Sequence, residues 1–498
     1  MNHKIRKLLC GILAACQVFT MTAYAKPDWS NNTGIQAEAG ALMDVDSKTM
    51  IFGQNSHVAY PPASITKILT ALIVLENVTD LSETVTFSET AMLTLEADSG
   101  NKLSLEIGDT MTVEDALYAL LLQSVNQAAN ALAEHVAGSI PAFVDMMNAK
   151  IEELGCQDSH FDNPSGLNGD TQNVSAYDMC LIASAAYSNE KLLEISSSKN
   201  HMIGALTNHP EGINVAQEHR LVITEDPESE YYCPEAVAGK TGYLLKAGNT
   251  LVTYAEKDGR RLVSVILMGS PRQYFVDGKE LLRFGFADFY NVIIAENETN
   301  YVTGDAAVEF GGESYDPSEL MIDPDSVITL PKDAVFADAE MTLADMPADH
   351  PDNAVGMLQY IYNERKIGQA YILLKNGSVP AGAEVSETVE ETPLQGTEGD
   401  DLSTMEAAEV PEADKAETES VSADKPKLEI NIPIIPILLV LILAAAIGGG
   451  AYWISKERKR EAEEAAMRRE RRRQRLMEDG DDAEFERLME EKRNRRQK

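Results

Sequence analysis

Apolar and polar positions along the first part of the chain predict a hairpin followed by a buried helix. Residues 40–43 and 50–52 are short apolar runs joined by a polar turn at 44–48, a pattern typical of a β-hairpin. Pro61 and Pro62 then close an extended segment. Residues 63–76 are apolar almost all round, so they predict a helix buried in the middle of a sizeable domain.

More helices are predicted in the middle of the chain. Residues 112–115 have the form of a capping box, which opens a helix. The helical pattern breaks at the polar residues 123–126 and then resumes, whereas residues 77–109 are polar and poor in strand pattern. The predicted helices cover residues 116–122, 127–137 and 174–186.

The chain after residue 239 predicts strands. Apolar runs at 250–255 and 262–268 flank Asp258 and Gly259, and Asp-Gly between two apolar runs is a strong hairpin signal. Residues 298–377 contain several short strand patterns and therefore predict a small all-β domain. These patterns lie at 306–310, 327–330, 356–362 and 369–374.

The N-terminal residues have a targeting pattern rather than a folding pattern. Residues 1–25 combine a positive start, an apolar stretch and a small-x-small site at 23–25, which predicts a cleaved secretory signal peptide. A second interpretation stays open, because residues 13–16 resemble a lipoprotein cleavage box that ends at Cys16.

The C-terminal residues predict a membrane anchor. Residues 378–425 are acidic and almost without aromatic residues, so they predict a disordered linker. Residues 432–454 are apolar, uncharged and long enough to cross a bilayer, and the basic residues that follow predict a cytoplasmic C-terminus. Residues 455–498 predict a charged cytoplasmic helix, which either touches anionic lipid or is simply solvated.

Composition narrows the classes of function. The formal net charge of −38 argues against nucleic acid as a partner. Cys10 and Cys16 lie in the leader, and the three remaining cysteines form neither a disulfide framework nor a zinc pattern. The histidines show no ligand spacing, so the sequence implies no metal and no cofactor. The three mature-chain cysteines, Cys156, Cys180 and Cys233, are expected to be core residues.

The predicted buried helix carries a serine and a lysine one turn apart. Residues three apart share a helix face, so Ser64 and Lys67 should meet. A serine hydroxyl needs a base, and burial makes a lysine lose its proton more readily. The pair is therefore a candidate nucleophile with its own base. A capping serine beside a lysine that reaches the surface is the alternative.

Two further polar sites interrupt apolar segments. Ser124 and Asn126 lie at the corner between two predicted helices, where a plain helix junction with Ser124 as the cap is the alternative. Lys240 and Thr241 are flanked by glycines and are expected on an inner strand, where a substrate backbone has room to lie close. A solvated lysine at a strand edge is the alternative there.

The order and spacing of these three sites resemble those of the penicillin-binding serine D-Ala-D-Ala carboxypeptidases, low-molecular-mass enzymes of bacterial cell-wall maturation. The resemblance extends to residues 62–67, 163–167, 240–243 and 247–248. It is strong over about residues 30–290, the expected catalytic domain, and weaker to about residue 375. It implies an α/β (α+β) fold of the β-lactamase/transpeptidase type. In that fold an antiparallel sheet is flanked by helices, and the nucleophile begins the central helix.

The resemblance also implies roles for the catalytic residues. Ser64 would be acylated by the penultimate D-Ala carbonyl, and Lys67 would accept its proton. Ser124 would relay protons, and Asn126 would hold the substrate amide.

The resemblance assigns binding roles to residues 240–243. Lys240 and Thr241 would bind the terminal D-Ala carboxylate, in a strand that continues through Gly242 and Tyr243. The backbone N–H groups of Ser64 and Tyr243 would form the oxyanion hole.

The implied protein is a membrane-anchored enzyme whose catalytic domain lies outside the cell. It would remove the terminal D-Ala from the pentapeptide stems of peptidoglycan, and β-lactams would inhibit it covalently. Three rivals remain: a β-lactamase, a D,D-endopeptidase and a silent wall-binding receptor. Glu152 and Glu153 lack the Glu-x-x-Leu-Asn setting of a class A β-lactamase, and intact motifs argue against a silent receptor. Val125, Gln127 and the pair Leu244-Leu245 depart from the family pattern and leave the substrate preference open.

Overall fold

The computed structural model describes residues 26–96, 99–347, 349–375 and 377. The predicted signal peptide, acidic linker, membrane span and cytoplasmic tail lie outside the described residues. Within the described ranges, no helix combines the length and the apolar character needed to cross a bilayer.

The helices are numbered in chain order. They are α1 (Lys67–Asn77), α2 (Glu89–Leu93), α3 (Val113–Leu122), α4 (Asn126–Ala137), α5 (Ile140–Glu153), α6 (Ala176–Tyr187), α7 (Glu190–Ser197), α8 (Arg220–Ile223), α9 (Gln273–Asp288) and α10 (Ile294–Asn297). The predicted helices after Thr112, at 127–137 and at 174–186 are confirmed as α3, α4 and α6. Thr112 caps α3 by accepting a hydrogen bond from the Asp115 N–H.

The strands are numbered in the same way. They are β1 (Ala39–Asp44), β2 (Met50–Gln54), β3 (Thr84–Thr86), β4 (Thr110–Thr112), β5 (Asn200–Ile203), β6 (Ile213–Ala216), β7 (Ala236–Leu244), β8 (Gly248–Lys257), β9 (Arg260–Gly269), β10 (Phe289–Ile293), β11 (Val308–Phe310), β12 (Glu313–Tyr315), β13 (Leu320–Ile322), β14 (Val327–Pro331), β15 (Glu340–Ala344), β16 (Ala354–Tyr362) and β17 (Arg365–Leu374).

The first sheet joins the two predicted hairpins. Its strand order is β2-β1-β9-β8-β7, and every pairing in it is antiparallel. Both hairpin predictions are thereby confirmed. Side chains alternate between the two faces of a strand, so Ala41 and Met43 pack into one apolar cluster while Leu42 packs into another. The sheet is buried on both faces, with α6 contacting one side and α9 the other.

Helix α1 lies at the centre of the helical layer, as its apolar pattern predicts. It contacts α3, α4 and α6, and its residues from Lys67 to Val74 are buried. The first turn differs from the expected single helix, because Ala63–Thr66 form a 3-10 turn that leads into α1. Ala63 has a φ of 52°, a conformation that interrupts regular helix geometry just after the two prolines.

A second antiparallel sheet follows. Its strand order is β10-β14-β17-β16-β15, and β13 also pairs with β17. The short strand patterns seen after residue 298 correspond to β11, β14, β16 and β17. The sheet also takes in Phe289–Ile293, a segment that comes before residue 298.

A buried charged side chain connects the two sheets. Asp44, at the end of β1, is fully buried, and its carboxylate accepts hydrogen bonds from Arg260 and from Asn291 at 3.1 Å each. Asn291 lies on β10, and its amide oxygen accepts a hydrogen bond from Thr329 of β14. The Arg260 guanidinium also donates to the carbonyl oxygens of Gly285 and Phe289, so each member of the network has several partners.

We expect Asp44→Ala to lower the free energy of unfolding by about 3–5 kcal/mol, because it leaves the largely buried guanidinium of Arg260, whose side chain is 13% exposed, without its counter-charge. The matched control is Asp46→Ala, whose partner Arg261 is partly exposed. Asp46→Ala should lower the free energy of unfolding by less than about 1 kcal/mol. Urea unfolding of both variants checks the difference. Equal midpoints for the two variants would contradict a structural role for the buried network.

Candidate active site

The backbone around Ser64 is fixed from two directions. The Lys67 N–H donates to the carbonyl oxygen of Ser64, three residues earlier, which closes the 3-10 turn. On the other side, the hydroxyl of Thr250 on β8 donates to the carbonyl oxygen of Pro62 at 2.9 Å. The turn that carries Ser64 is therefore held against the sheet before α1 begins.

The side chain of Lys67 is fully buried and ends among three oxygen atoms. Its Nζ lies 3.0 Å from the Ser64 hydroxyl oxygen and 2.7 Å from Oδ1 of Asn126. A short hydrogen bond joins the same Nζ to the carbonyl oxygen of Ser165. The alternative in which Lys67 reaches the surface is wrong, and Ser64 makes no side-chain cap to the helix.

The three contacts of Lys67 Nζ differ in what a neutral amine can do with them. A neutral lysine has two N–H donors and one lone pair. The carbonyl of Ser165 accepts only, and so does Oδ1 of Asn126, whose amide nitrogen donates elsewhere, to the Ser99 carbonyl. These two acceptors use both hydrogens of the amine. In the structure Nζ lies in donating position to the Ser64 hydroxyl oxygen as well, and of the three partners this hydroxyl is the one able to give a proton to a neutral amine.

Burial favours the same uncharged form. Removal of the ammonium from water is the main cause that holds the pKa of Lys67 well below its ordinary value. The positive charge of Lys240 lowers the pKa of Lys67 further. Among the described residues, no carboxylate forms a hydrogen bond or an ion pair with Lys67 that would stabilise its charge. The lowered pKa and the position of Nζ next to the Ser64 hydroxyl make Lys67 the candidate base for Ser64.

The Ser165 carbonyl belongs to a tight loop. Oδ1 of Asn163 accepts hydrogen bonds from the N–H groups of Gly166 and Leu167, at 2.8 and 3.1 Å. Gly166 has a φ of +83°, and a Cβ there would lie 1.9 Å from the carbonyl oxygen of Ala63. Only glycine fits, so this loop packs directly on the turn that carries Ser64. Residues 163–167 predicted a turn and carried part of the family resemblance, but neither feature indicated a carbonyl that binds Lys67.

Ser124 and Asn126 form the corner between α3 and α4. Val125, not Ser124, occupies the N-cap position of α4, so the expected alternative of a capping serine is wrong. Ser124 has a φ of 58°, which turns the chain sharply before Asn126. Within the described part of the chain, Asn126 contacts Lys67, whereas no hydrogen bond joins the Ser124 hydroxyl to Lys67.

Lys240, Thr241, Gly242 and Tyr243 lie on β7. The expectation of an inner strand is wrong, because β7 is the edge strand of the five-stranded sheet. An edge strand has unpaired backbone groups, which are free to pair with an extended ligand. A Cβ at Gly242 would lie 2.8 Å from the Ser64 backbone nitrogen, so this edge runs directly beside the turn of Ser64.

The lysine of this strand is also buried. Lys240 is 1% exposed, so it is not the solvated edge lysine of the alternative interpretation, and its Nζ donates to the Thr241 carbonyl oxygen at 2.9 Å. Burial lowers the pKa of Lys240 to about 8. Tyr243, by contrast, is 63% exposed at the rim of the site.

The site holds polar groups without a metal cluster. Across the ranges that the structure describes, no group of three or more His, Cys, Asp and Glu side chains is placed to hold a metal ion. Cys180 and Cys233 are buried and Cys156 is partly buried; burial raises the pKa of the Cys233 thiol to about 11. The described side chains of the site offer a hydroxyl, an amide and two buried lysine amines.

Known proteins share this sequence pattern. A family model described as D-alanyl-D-alanine carboxypeptidase, Peptidase S11, matches residues 24–271, which include all of the predicted site residues. D-alanyl-D-alanine carboxypeptidase DacB2 of Mycobacterium tuberculosis is 33% identical over 257 residues, 50% of this chain and 82% of that protein. DacF of Bacillus subtilis is 29% identical over 296 residues, 58% of this chain and 72% of that protein.

Solved structures share the fold. Penicillin binding protein 5 from Haemophilus influenzae aligns with a TM-score of 0.53 at 23% identity, over 70% of this chain and 98% of that chain. This likeness supports a mixed α/β fold of the same kind. DacB2, which is 33% identical, is matched over 82% of its own length. The family model covers Ser64, Lys67 and Lys240, around which the site is built. On that ground the chain belongs to the Peptidase S11 family of D-alanyl-D-alanine carboxypeptidases.

Proposed function

We propose that this enzyme removes the terminal D-Ala from peptidoglycan pentapeptide stems through an acyl-enzyme on Ser64. The observation that carries the proposal is the fully buried Lys67, whose Nζ lies 3.0 Å from the Ser64 hydroxyl oxygen. When its amine is neutral, Lys67 can accept the proton of Ser64, and this makes the serine hydroxyl an activated nucleophile. The name of the family supplies the substrate class.

In the proposed acylation step, Ser64 Oγ attacks the carbonyl carbon of the penultimate D-Ala while its proton moves to Lys67 Nζ. The negative charge that develops on the carbonyl oxygen would be stabilised by the backbone N–H groups of Ser64 and Tyr243, each worth about 3 kcal/mol. The close approach of β7 to the Ser64 backbone, where a Cβ added at Gly242 would lie 2.8 Å from the Ser64 nitrogen, supports this placement. Asn126 would hold the substrate amide.

The leaving group is the amine of the terminal D-Ala. As the C–N bond breaks, that nitrogen takes the proton from Lys67, with the Ser124 hydroxyl proposed as the relay. Water then attacks the ester carbonyl, and Lys67 again accepts a proton. The ester bond to Ser64 breaks, Ser64 recovers its proton, and the shortened peptide leaves.

Lys240 and Thr241 are the proposed binding site for the terminal carboxylate, and this role predicts a pH dependence. Lys240 must be protonated to attract an anion, and burial lowers its pKa to about 8. We therefore expect KM for a D-Ala-D-Ala peptide to rise as the pH rises above about 8. Lys240→Arg should abolish that rise, because arginine stays charged. Steady-state kinetics at pH values from about 6 to 10 measure it. A KM that is flat in the wild-type enzyme would contradict the role.

The rival reactions differ in their products. A β-lactamase would turn penicillin over rapidly, which needs a group that activates water for deacylation. Glu153, one of the two candidates by sequence, pairs with Lys150 on the surface of α5. We therefore propose slow deacylation. A D,D-endopeptidase would cut cross-linked stems as well, and the exposed edge of β7 leaves that alternative open.

The direct test is to incubate the enzyme with a pentapeptide stem and, separately, with a cross-linked stem dimer. Release of free D-Ala from the first substrate alone is expected. Cleavage of the dimer at a comparable rate would favour the endopeptidase. No release from either, together with no reaction with benzylpenicillin, would favour the silent receptor.

Gly166→Ala should damage the site strongly. A Cβ at this position would overlap the Ala63 backbone, so the loop must move and withdraw the Ser165 carbonyl from Lys67. A displacement near 1 Å costs on the order of 10²-fold in rate, and we expect a loss of that size in benzylpenicillin acylation. Intact-mass time courses measure it.

Gly155→Ala is the matched control for that prediction. Gly155 has a similar φ of +78°, but no atom lies within 4 Å of an added Cβ. Its acylation rate should stay at the wild-type value, although both variants lose about 1–2 kcal/mol of stability from the strained φ. Equal rates in the two variants would show that the 163–167 loop does not position Lys67.

We also propose that residues 1–25 direct secretion and that residues 432–454 anchor the enzyme in the cytoplasmic membrane with its catalytic domain outside. The charge pattern around the apolar segment motivates this topology. Protease added to intact cells should degrade the catalytic domain and spare a tag placed after Lys498. Digestion of that tag would contradict the proposed orientation.

A further inference from the structure

An ion pair connects the two sides of the candidate active site. Lys102 Nζ lies 2.7 Å from the carboxylate of Glu218, and the two side chains are 47% and 41% exposed. The residues are 116 positions apart in the sequence. The family motifs include neither of them, so their proximity follows from the tertiary structure alone.

The segment before Lys102 is attached to the Asn126 side of the site. Asn126 donates to the carbonyl oxygen of Ser99 at 3.3 Å, and Gln127 donates to that of Gly100 at 2.8 Å. Lys102 follows two residues later. The backbone just before Lys102 is therefore attached to the corner that also contacts Lys67.

Glu218 is held beside the Lys240 strand. Its neighbour Gln217 donates to the Ser196 carbonyl at 2.8 Å, and its neighbour His219 lies 3.1 Å from the Val252 carbonyl of β8. A Cβ at Gly239 would lie 2.6 Å from the His219 ring, so this segment packs against the residue just before Lys240.

The charges of the pair act on Lys240 in opposite directions. Glu218 raises the pKa of Lys240, whereas Lys102 lowers it. Both charges are thus close enough to influence an anion bound at Lys240. An unpaired Glu218 would repel such an anion, and Lys102 cancels that repulsion.

We propose that the Lys102–Glu218 pair determines how strongly the enzyme selects a free terminal carboxylate. This inference rests on the proposed carboxypeptidase function. Lys102 neutralises Glu218 so that the carboxylate of the substrate meets the positive charge of Lys240 alone. Neither residue touches the reacting atoms; both act through the electric field at the carboxylate site.

A double-mutant cycle on the full chain tests the proposal, with diacetyl-Lys-D-Ala-D-Ala as the probe and at a pH well below the pKa of about 8 of Lys240, so that Lys240 stays protonated in every variant. Lys102→Met should raise KM roughly two- to five-fold, the range for partly exposed charges. Glu218→Gln should lower KM by a similar factor, and the double variant should return close to the wild-type value. Lys102→Arg keeps the charge and should behave as the wild type.

Two controls separate charge from structure. The same peptide with a C-terminal carboxamide has no negative charge, so its KM should not respond to any of these variants. The second control removes the Lys191–Glu114 ion pair, which is also 2.7 Å long and lies near the end of α3 that is opposite to Ser124. Lys191→Met and Glu114→Gln should leave KM unchanged for both peptides.

The outcomes are distinct. The proposal would be overturned if the single and double variants all raised KM equally for both the carboxylate and the carboxamide peptide. That result would mean that the ion pair only holds the cleft together. Unchanged KM values in an active enzyme would overturn it as well. An inactive wild-type enzyme would instead refute the proposed carboxypeptidase function itself.

Discussion

Ser64→Ala should abolish the covalent adduct that the wild-type enzyme forms with benzylpenicillin. A β-lactam presents a strained amide, and its carboxylate would occupy the place of the terminal D-Ala carboxylate at Lys240 and Thr241. Ser64 should open the ring, after which the leaving group stays tethered to the acyl group and blocks water. The wild-type adduct should therefore persist for minutes or longer, whereas the variant has no nucleophile to form it.

Intact-mass spectrometry after a few minutes with the drug measures this prediction. Ser197→Ala, which removes a hydroxyl that donates to the Glu194 carbonyl at the end of α7, is the control and should keep the full adduct. A persistent adduct on Ser64→Ala would place the nucleophile elsewhere. Rapid drug turnover by the wild type without an adduct would move the assignment to a β-lactamase.

Lys67→Ala should slow acylation by about 10²–10⁴-fold, the usual loss when a positioned base is removed. The hydroxyl of Ser64 would remain, but no other described side chain forms a hydrogen bond with it. The wild-type rate should rise with pH through the lowered pKa of Lys67, because only the neutral amine accepts a proton. The variant should lose that dependence.

The stability of the variant must be followed alongside its rate. Lys67→Ala leaves the carbonyl of Ser165 and the amide oxygen of Asn126 without their buried donor, which costs about 1–3 kcal/mol for each acceptor. Lys67→Met fills more of the space and is the second variant. Stopped-flow acylation and thermal unfolding are measured on both. A folded Lys67→Met variant that acylates at the wild-type rate would exclude Lys67 as the base.

The sequence determined the local structure and the chemical identity of the site. The apolar pattern of residues 63–76 predicted the buried helix that begins at Lys67, though not the 3-10 turn before it, and Asp258-Gly259 predicted a hairpin. Both patterns depend on residues that are near one another in the chain. A lysine three residues after a serine at a predicted buried helix made the two a candidate nucleophile and base, because residues three apart share a helix face. The order of the three motifs then indicated the family.

Only the tertiary structure decided which groups from distant parts of the chain lie beside the site residues. The Ser165 carbonyl that binds Lys67 is a backbone group, and any residue type supplies one, so side-chain identity carries no signal for it. The strand order that places β7 at the sheet edge depends on which strands pair across the chain, and the strand pattern is the same for an inner or an outer strand.

The same reason explains the two ion pairs that the sequence did not indicate. Asp44 meets Arg260, and Lys102 meets Glu218, across more than a hundred residues. A single sequence records that each residue is charged but not which opposite charge lies beside it after folding. The sequence by itself therefore determined what chemistry this protein carries. The packing of the chain decided which backbone oxygen holds the base, and which charges surround the expected carboxylate site.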